Sequence, residues 1–342
     1  MTLARAKQID LDATPYYHVM NRCVRRSFLC GFDTLTQTDY SHRKSWIVDR
    51  LKFLANIFAI KICAYAIMSN HYHVVLHVDD KTAAMWSDEE VLQRWHALFP
   101  KDAKENQHLP SKIKLWRERL TSVSWFMRCL NERIARAVND EDDCKGRFWE
   151  GRFKSQALLD EAALLSAMVY VDLNPIRAGI TQSPEESEFT SIYERIQYMQ
   201  HQLKQVDSGL YKSKNQQKKE RANILDSLKQ PKSLVPFSVI TSDDSLHSIS
   251  FKFSDYLELV DCTGRIIRDD KQAGVIPNEL SPILIRLQVE PRNWLSFVQN
   301  ISSQFAYAVG SEIALINFDK KRRRQMKGAI LAKRSYRYAE YA

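Results

Sequence analysis

The stretch KICAYAIMSNHYHVVLHVDD, residues 61–80, contains two runs typical of strands, separated by the turn-forming pair Ser69-Asn70. It therefore predicts a β-hairpin. Upstream, PYYHVMNRC (15–23) predicts a first strand, and TDYSHRKSWIVDRLKFLANIFAI (38–60) predicts a helix because its apolar residues recur near helical spacing. Together these segments predict the element order β, α, β, β.

Downstream of the hairpin the pattern predicts an insertion, two helices and one more extended segment. Residues 80–113 are polar with a short helical pattern, and residues 113–138 predict a long helix. GRFWEGRFKSQALL (146–159) predicts a strand or an extended loop. DEAALLSAMVYVDL (160–173) predicts a helix with acidic residues in its first turn, where the helix dipole favours them. It is expected to end at Asn174, because a residue before proline is disfavoured in the α region.

Composition indicates a globular protein whose net positive charge is compatible with an anionic partner. The chain has 342 residues, of which 44% are hydrophobic and 27% charged, and this length is enough for two domains. Fifty lysines and arginines against 41 acids give a net charge of +9 and a pI near 9.1. This charge favours a polyanion such as nucleic acid, although it equally fits a basic protein without such a partner.

Cysteine spacing and hydropathy indicate an intracellular protein. The six cysteines form no CxxC pair, which argues against a zinc ribbon and a disulfide scaffold. No apolar run approaches the roughly 18 to 20 residues of a membrane span, and the N-terminal sequence lacks the apolar region of a signal peptide. We therefore expect a cytoplasmic protein without membrane contact.

The composition changes along the chain predict three parts. Residues 1–199 are expected to form the first domain, and residues 200–236, rich in glutamine and lysine, a polar linker or surface helix. Residues 237–342 are predicted to form an all-α accessory domain. Its tail, residues 319–342, carries nine basic residues and two acidic ones, and either grips nucleic acid or is a solvated terminus.

Three histidines in the second strand of the hairpin could share one face. His71, His73 and His77 are separated by even numbers of residues, so their side chains project from the same side of a strand. Two imidazoles two residues apart can converge on one divalent cation; alternatively, they are partly exposed sheet residues. The absence of the HExxH and HxE with PCxxC patterns argues against two zinc enzyme classes. The pair is compatible with Mg²⁺ or Mn²⁺ acting on a phosphate, although it would also accept zinc.

A tyrosine lies on a polar stripe of the last predicted helix of the first domain. Ser166, Tyr170 and Asn174 are spaced by four residues between apolar flanks. Tyr170 is either a nucleophile or, as is more common for a helix tyrosine, a packed residue with a bonded hydroxyl.

Four segments, in order, resemble the HUH single-tyrosine transposases of bacterial insertion sequences, and in particular their REP-associated branch with a long C-terminal extension. YHVMNRCVRRSFL resembles the first strand and turn of that family, and AYAIMSNHYHVVLHV its strand with paired histidines. GRFWEGRFKSQAL resembles its tryptophan and arginine segment, and MVYVDLNPIRAGI its tyrosine helix. The resemblance covers about residues 15–182.

The resemblance implies an α+β fold, in which a ferredoxin-like palm with an antiparallel sheet precedes the α-helical C-terminal region. It implies that His71 and His73 bind Mg²⁺ or Mn²⁺, with Asn174 as a third ligand, and that Tyr170 is the catalytic nucleophile. The implied activity is DNA transposition: cleavage and rejoining of single-stranded or hairpin DNA through a 5′-phosphotyrosine intermediate, by a possible homodimer in the bacterial cytoplasm or nucleoid.

The residues expected to bind DNA are basic or aromatic and lie near these motifs: Arg22, Arg25, Arg26, Arg147, Trp149, Arg152, Lys154 and Arg177. Trp149 and Phe153 either stack on bases of the DNA or are buried in the core. Two other functions also remain open: a domesticated nucleic-acid-binding regulator that retains the fold, and a metal-dependent hydrolase that forms no covalent adduct.

Overall fold

The protein is α+β, which confirms the predicted class. The structure is a computed structural model. It describes residues 8–24, 30–33, 37–100, 110–205, 229–238, 248–268, 294–295, 298–299, 301, 305 and 307–320. The chain divides into two compact units, the first comprising residues 1–62 and 67–157 and the second residues 63–66 and 158–342.

The elements up to residue 158 are β1 (Tyr16–Arg22), β2 (Phe32–Asp33), β3 (Thr38–Asp39), α1 (Arg43–Ile57), β4 (Ile60–Ile67), β5 (His71–Val78), α2 (Asp80–Met85), α3 (Asp88–Leu98), α4 (Pro110–Leu120), α5 (Val123–Glu141) and β6 (Lys154–Leu158). They are followed by α6 (Glu161–Asp172), α7 (Asn174–Arg177), a 3₁₀ turn (Pro184–Glu186), α8 (Ser191–Gln205), α9 (Phe253–Arg268), β7 (Ala308–Val309) and α10 (Glu312–Lys320).

The main sheet has the strand order β4-β5-β1-β6-β7, so the hairpin β4-β5 lies beside the first strand of the chain. β1 pairs antiparallel with both β5 and β6. The face that carries Tyr17, Val19 and Tyr72 is fully buried. There the Tyr72 hydroxyl is hydrogen-bonded to the Asn131 side chain of α5, so this helix covers one face of the sheet.

The long helix expected over residues 113–138 is two helices, which corrects that prediction. α4 ends at Leu120 and α5 begins at Val123. Ser122 adopts an extended backbone conformation, and its hydroxyl accepts the N–H of Trp125 at 3.4 Å. A serine in this position satisfies an N–H group of the first turn that has no partner within the helix, which favours a new helix start over a continuous helix.

A buried arginine joins the start of α1 to the end of α5. Arg43 is fully buried, and its Nε donates to Glu141 Oε2 at 2.5 Å. A second guanidinium nitrogen donates to Asp142, and the guanidinium also lies 3.9 Å from the ring centroid of Tyr40. Because burying an unpaired charge is costly, these two carboxylates are required for the arginine to occupy this position.

In the second unit, α6 is buried along almost its whole length. Every residue from Ala162 to Asp172 is buried, which explains why apolar residues flank the predicted polar stripe on both sides. The helix begins at a capping aspartate, Asp160, whose side chain accepts the N–H of Ala163 at 2.8 Å. At the other end, the Asp172 carboxylate accepts hydrogen bonds from Ser191 and Tyr256, which ties α6 to α8 and α9.

The contacts group the chain differently from the boundaries predicted at residues 199 and 236. α6 belongs to the same unit as α9, and residues 230–236, expected in a linker, include the buried Leu234 and Val235. Residues 206–228 and 321–342, which contain most of the predicted linker and basic tail, lie outside the described residues. The C-terminal region is not all-α as expected, because Ala308–Val309 is a short strand. No helix in the described ranges has the length and apolar content needed to cross a bilayer.

Candidate functional site

Three polar side chains form a row across β6, β1 and β5 of the first unit. Gln156 lies directly opposite His18, and Met20 directly opposite His73, so His18 and His73 are diagonal neighbours on the same face. His18 Nδ1 is 2.8 Å from Gln156 Oε1, and His18 Nε2 is 2.9 Å from His73 Nδ1. The sheet register therefore brings together residues that are 55 and 138 positions apart in sequence.

The hydrogen-bonding capacity of Gln156 gives this row a direction. The amide oxygen can only accept, so His18 Nδ1 carries a proton. A neutral His18 then has an unprotonated Nε2, which accepts from His73 Nδ1–H. A His73 ring that donates from Nδ1 and carries one proton has its lone pair on Nε2. Burial lowers the pKa of His18 from 6.5 to about 4, although the hydrogen bond to Gln156 raises it, so this imidazole is neutral at physiological pH.

His71 is fixed by a separate contact. Its Nδ1 is 2.6 Å from the side-chain oxygen of Asn70, the turn residue that precedes it, so Nδ1–H donates and Nε2 has the lone pair. Burial lowers the pKa of His71 to about 4, and the positive charge of Arg22 contributes in the same direction. The rings of His71 and His73 have centroids 5.0 Å apart and meet edge to face.

The donor atoms of the predicted pair, His71 and His73, are therefore suited to binding a divalent cation. Both imidazoles use Nδ1 in a hydrogen bond within the protein, which is the usual arrangement of a metal-binding histidine. No group of three or more His, Cys, Asp or Glu side chains in the described parts of the chain is placed to hold a metal ion. Any further ligand would therefore come from another donor type, such as an amide, water or a phosphate oxygen.

Basic side chains border the same face of the sheet. Arg22 is directly opposite His71, and Lys154 is directly opposite Met20, so both project from the histidine face. Both are exposed, as is Arg152 just before β6. Positive charge beside the histidine pair is suited to an anionic ligand such as a phosphodiester.

The other predicted DNA-binding residues have different surroundings. Trp149 is only 8% exposed and its Nε1 donates to the backbone oxygen of Asn131 at 3.0 Å. Its ring meets that of Tyr72 edge to face, and Phe153 is equally buried. Of the two alternatives left open by the sequence, both aromatic residues therefore lie in the core and not on a surface for base stacking. Arg147 is exposed, but its guanidinium donates to the nearby backbone oxygens of Trp149 and Glu150. Arg25 and Arg26 lie outside the described residues.

Tyr170 and Asn174 belong to the second unit, whereas the histidine pair belongs to the first. Tyr170 is 5% exposed and Asn174 is 7% exposed. The Arg177 guanidinium lies 4.6 Å from the ring centroid of Tyr170, and it also donates to the backbone oxygen of Gln299 at 2.9 Å. Ser166 is bonded within its own helix, to the backbone oxygen of Ala162. The second unit thus places a cation against the tyrosine that was predicted to be the nucleophile.

Sequence reasoning missed His18 and Gln156. His18 has the even spacing within β1 that places it on one face with Arg22, and it is one of only nine histidines in the chain. That signal alone gives no partner, because the pairing of His18 with both β5 and β6 depends on the register of three strands.

No protein-family model matches the chain, and no curated protein matches it. One solved structure is similar, that of a REP-associated tyrosine transposase bound to a REP hairpin. The similarity has a TM-score of 0.35 and 12% sequence identity, and covers 58% of this chain and 82% of the other.

Proposed function

We propose that the protein is a metal-dependent DNA strand-transferase of the HUH single-tyrosine transposase class, in its REP-associated branch. The observation that carries this proposal is the pair His71 and His73, whose Nδ1 atoms lie 2.6 Å from Asn70 Oδ1 and 2.9 Å from His18 Nε2, respectively. A ring that donates from Nδ1 has its lone pair on Nε2, which is the nitrogen proposed to bind the cation. Exposed basic residues on the same face support a phosphodiester substrate.

The finer fold assignment is a ferredoxin-like palm. The order β1-α1-β4-β5-α5-β6 along the chain supports it, since this is the β-α-β-β-α-β pattern of that motif. The spatial strand order β4-β5-β1-β6, with β1 between β5 and β6, supports it further. The palm places the paired histidines on a central strand, next to the first strand of the chain.

In the proposed site His71 and His73 hold Mg²⁺ or Mn²⁺, and Asn174 is a third ligand. When bound, the cation supplies positive charge that polarises the non-bridging oxygens of the scissile phosphate. Both histidines fit this role because a neutral imidazole with its lone pair on Nε2 is the ligand form.

Tyr170 is the proposed nucleophile. Its phenolic oxygen loses its proton and forms a bond to phosphorus while the bond from phosphorus to the 3′ oxygen breaks, and the departing 3′ oxygen takes up a proton. The 5′-phosphotyrosine retains the ester, so another 3′-hydroxyl can attack it and release the tyrosine. The Arg177 guanidinium lies 4.6 Å from the ring centroid of Tyr170, and this positive charge beside the proposed nucleophile suits an anionic phosphodiester. Tyr170 is only 5% exposed, so its hydroxyl must become accessible before it reacts.

The proposed substrate is single-stranded or hairpin DNA in the bacterial cytoplasm or nucleoid, bound by one chain or by a homodimer. Arg22, Arg152 and Lys154 are the described residues proposed to meet phosphates. Arg22 is exposed opposite His71, Lys154 is exposed opposite Met20 on the same face, and Arg152 is exposed just before β6. Arg25 and Arg26 are proposed to contribute from the segment that follows Arg22.

The covalent adduct provides the test. Labelled hairpin-bearing single-stranded DNA, incubated with the protein and Mg²⁺ or Mn²⁺, should give a denaturant-stable complex. Tyr170→Phe should abolish the complex, whereas Tyr198→Phe, which alters a partly exposed tyrosine on α8, should not. An adduct that persists in Tyr170→Phe would show that another residue is the nucleophile.

A second candidate is a nucleic-acid-binding regulator that retains the palm. The burial of Tyr170 favours it, because a binding protein does not need an accessible phenol. In a cell-based assay of regulation, the double variant His71→Ala with Tyr170→Phe should remain functional if this candidate holds, and should be inactive if catalysis is required.

A further inference from the structure

The row Gln156–His18–His73 selects one tautomer of the His73 imidazole, the one with its proton on Nδ1. In water, the neutral imidazole of histidine favours the form with its proton on Nε2. A ring in that form cannot bind a cation through Nε2. In this protein the hydrogen bond at Nδ1 selects the opposite form, because His18 Nε2 must accept and His73 Nδ1 must donate.

The row is isolated from water, which allows two hydrogen bonds to decide the tautomer. His18 is 2% exposed, His73 1% and Gln156 7%. A buried donor or acceptor without its partner loses the hydrogen bond without regaining one to solvent. With the amide oxygen of Gln156 facing His18 Nδ1 at 2.8 Å, reversing only the bond between the two histidines would leave a buried group without its partner. The three residues lie on three adjacent strands, so their separation is fixed by the backbone of the sheet.

The tautomers of His71 and His73 depend on two different hydrogen bonds. His73 depends on a side chain 55 residues away, whereas His71 depends on the adjacent Asn70. A change at His18 should therefore affect His73 and leave His71 unchanged. This independence supplies an internal control that a general loss of structure would not satisfy.

We propose that His18 and Gln156 are positioning residues that hold His73 as the Nδ1–H tautomer, so that its Nε2 is available to a divalent cation. The inference deepens the proposed function and rests on it for the role of the cation, but the tautomer itself is a property of the metal-free protein. Such residues behind a ligand typically contribute about 10- to 100-fold in metal affinity.

The test is the ¹⁵N–¹H imidazole spectrum of the metal-free full-length protein, with the His73 signals assigned by their loss in His73→Gln. The wild-type spectrum should show His73 protonated on Nδ1. His18→Phe keeps a ring but removes the acceptor, and should move the proton to Nε2 of His73 without changing His71. His18→Gln restores an acceptor oxygen and should restore the wild-type form. Gln156→Leu should give a mixture, because the direction of the remaining bond is no longer set.

Mn²⁺ affinity, measured by calorimetry on the same proteins, provides the second readout. The affinity should fall about 10- to 100-fold in His18→Phe and recover in His18→Gln. A wild-type His73 protonated on Nε2 would overturn the inference whether or not Mn²⁺ binds, and this result does not require any variant to fold. If the tautomer is as expected and reverses in His18→Phe, but the wild-type protein does not bind Mn²⁺, the positioning role of His18 and Gln156 is confirmed and the proposed cation site is refuted.

Discussion

The buried carboxylate of Asp172 should make the stability of the protein depend on pH. Asp172 is fully buried between α6, α8 and α9, and burial raises its pKa from 3.8 to about 6. Hydrogen bonds from Ser191, Tyr256 and the backbone N–H of Ile192, and the charge of Arg195, lower the pKa but do not offset the burial. The folded state therefore binds a proton more tightly than the unfolded state does.

The magnitude follows from linkage between protonation and folding. Because the folded-state pKa is raised, the free energy of unfolding is greatest below the unfolded pKa and falls as the pH rises through the folded pKa. Moving the pKa from 3.8 to about 6 corresponds to a total decrease of about 3 kcal/mol. Roughly 1.4 kcal/mol of this change should fall between about pH 5 and about pH 7.5.

Asp172→Asn removes the titration while keeping the shape of the side chain. Urea unfolding, followed by circular dichroism across this pH range, should show that the variant gains about 1.4 kcal/mol relative to wild type as the pH rises. Asp261→Asn, which alters an exposed carboxylate on α9, is the matched control and should show no comparable gain. Parallel pH profiles for wild type and Asp172→Asn would refute the inference that burial dominates at this position.

Four further substitutions test the packing and the surface. Arg43→Ala should destabilise the fold by about 3 kcal/mol or more in urea unfolding, because it leaves two carboxylates without the buried arginine. Trp149→Phe should cost about 1 to 2 kcal/mol of stability, because it removes the buried hydrogen bond to Asn131, and should leave the affinity for single-stranded DNA unchanged. Arg152→Gln should weaken DNA binding in a fluorescence titration without changing stability, because the residue is exposed and basic. Gly310→Ala should lower the free energy of unfolding by about 1 to 3 kcal/mol in the same assay, because its new methyl group would lie 2.9 Å from Leu159 Cβ. An unchanged free energy of unfolding would contradict that close approach.

Several local features could be predicted because neighbouring residues decide them. The hairpin was predicted from two strand-like runs around Ser69-Asn70, and the strands are Ile60–Ile67 and His71–Val78. The tyrosine helix was expected to end at Asn174 because proline restricts the residue that precedes it, but the helix ends at Asp172. Asn174 begins the short helix α7, in which Pro175 occupies the first turn, so the restriction by proline does not explain the end of α6. The break at Ser122 was missed, because the apolar spacing continues across it and only the cap distinguishes one helix from two.

The sequence by itself determined the order of β1, α1, β4 and β5 and the placement of His71 and His73 on one face of one strand, because a strand repeats every two residues and a helix every 3.6. Only the tertiary structure decided that His18 and Gln156 stand behind His73, that Trp149 packs in the core, and that Asp172 is buried. The physical reason is that these contacts depend on strand order and register. Strand order and register are set by how the whole chain buries its apolar faces, and no local stretch of sequence contains that information.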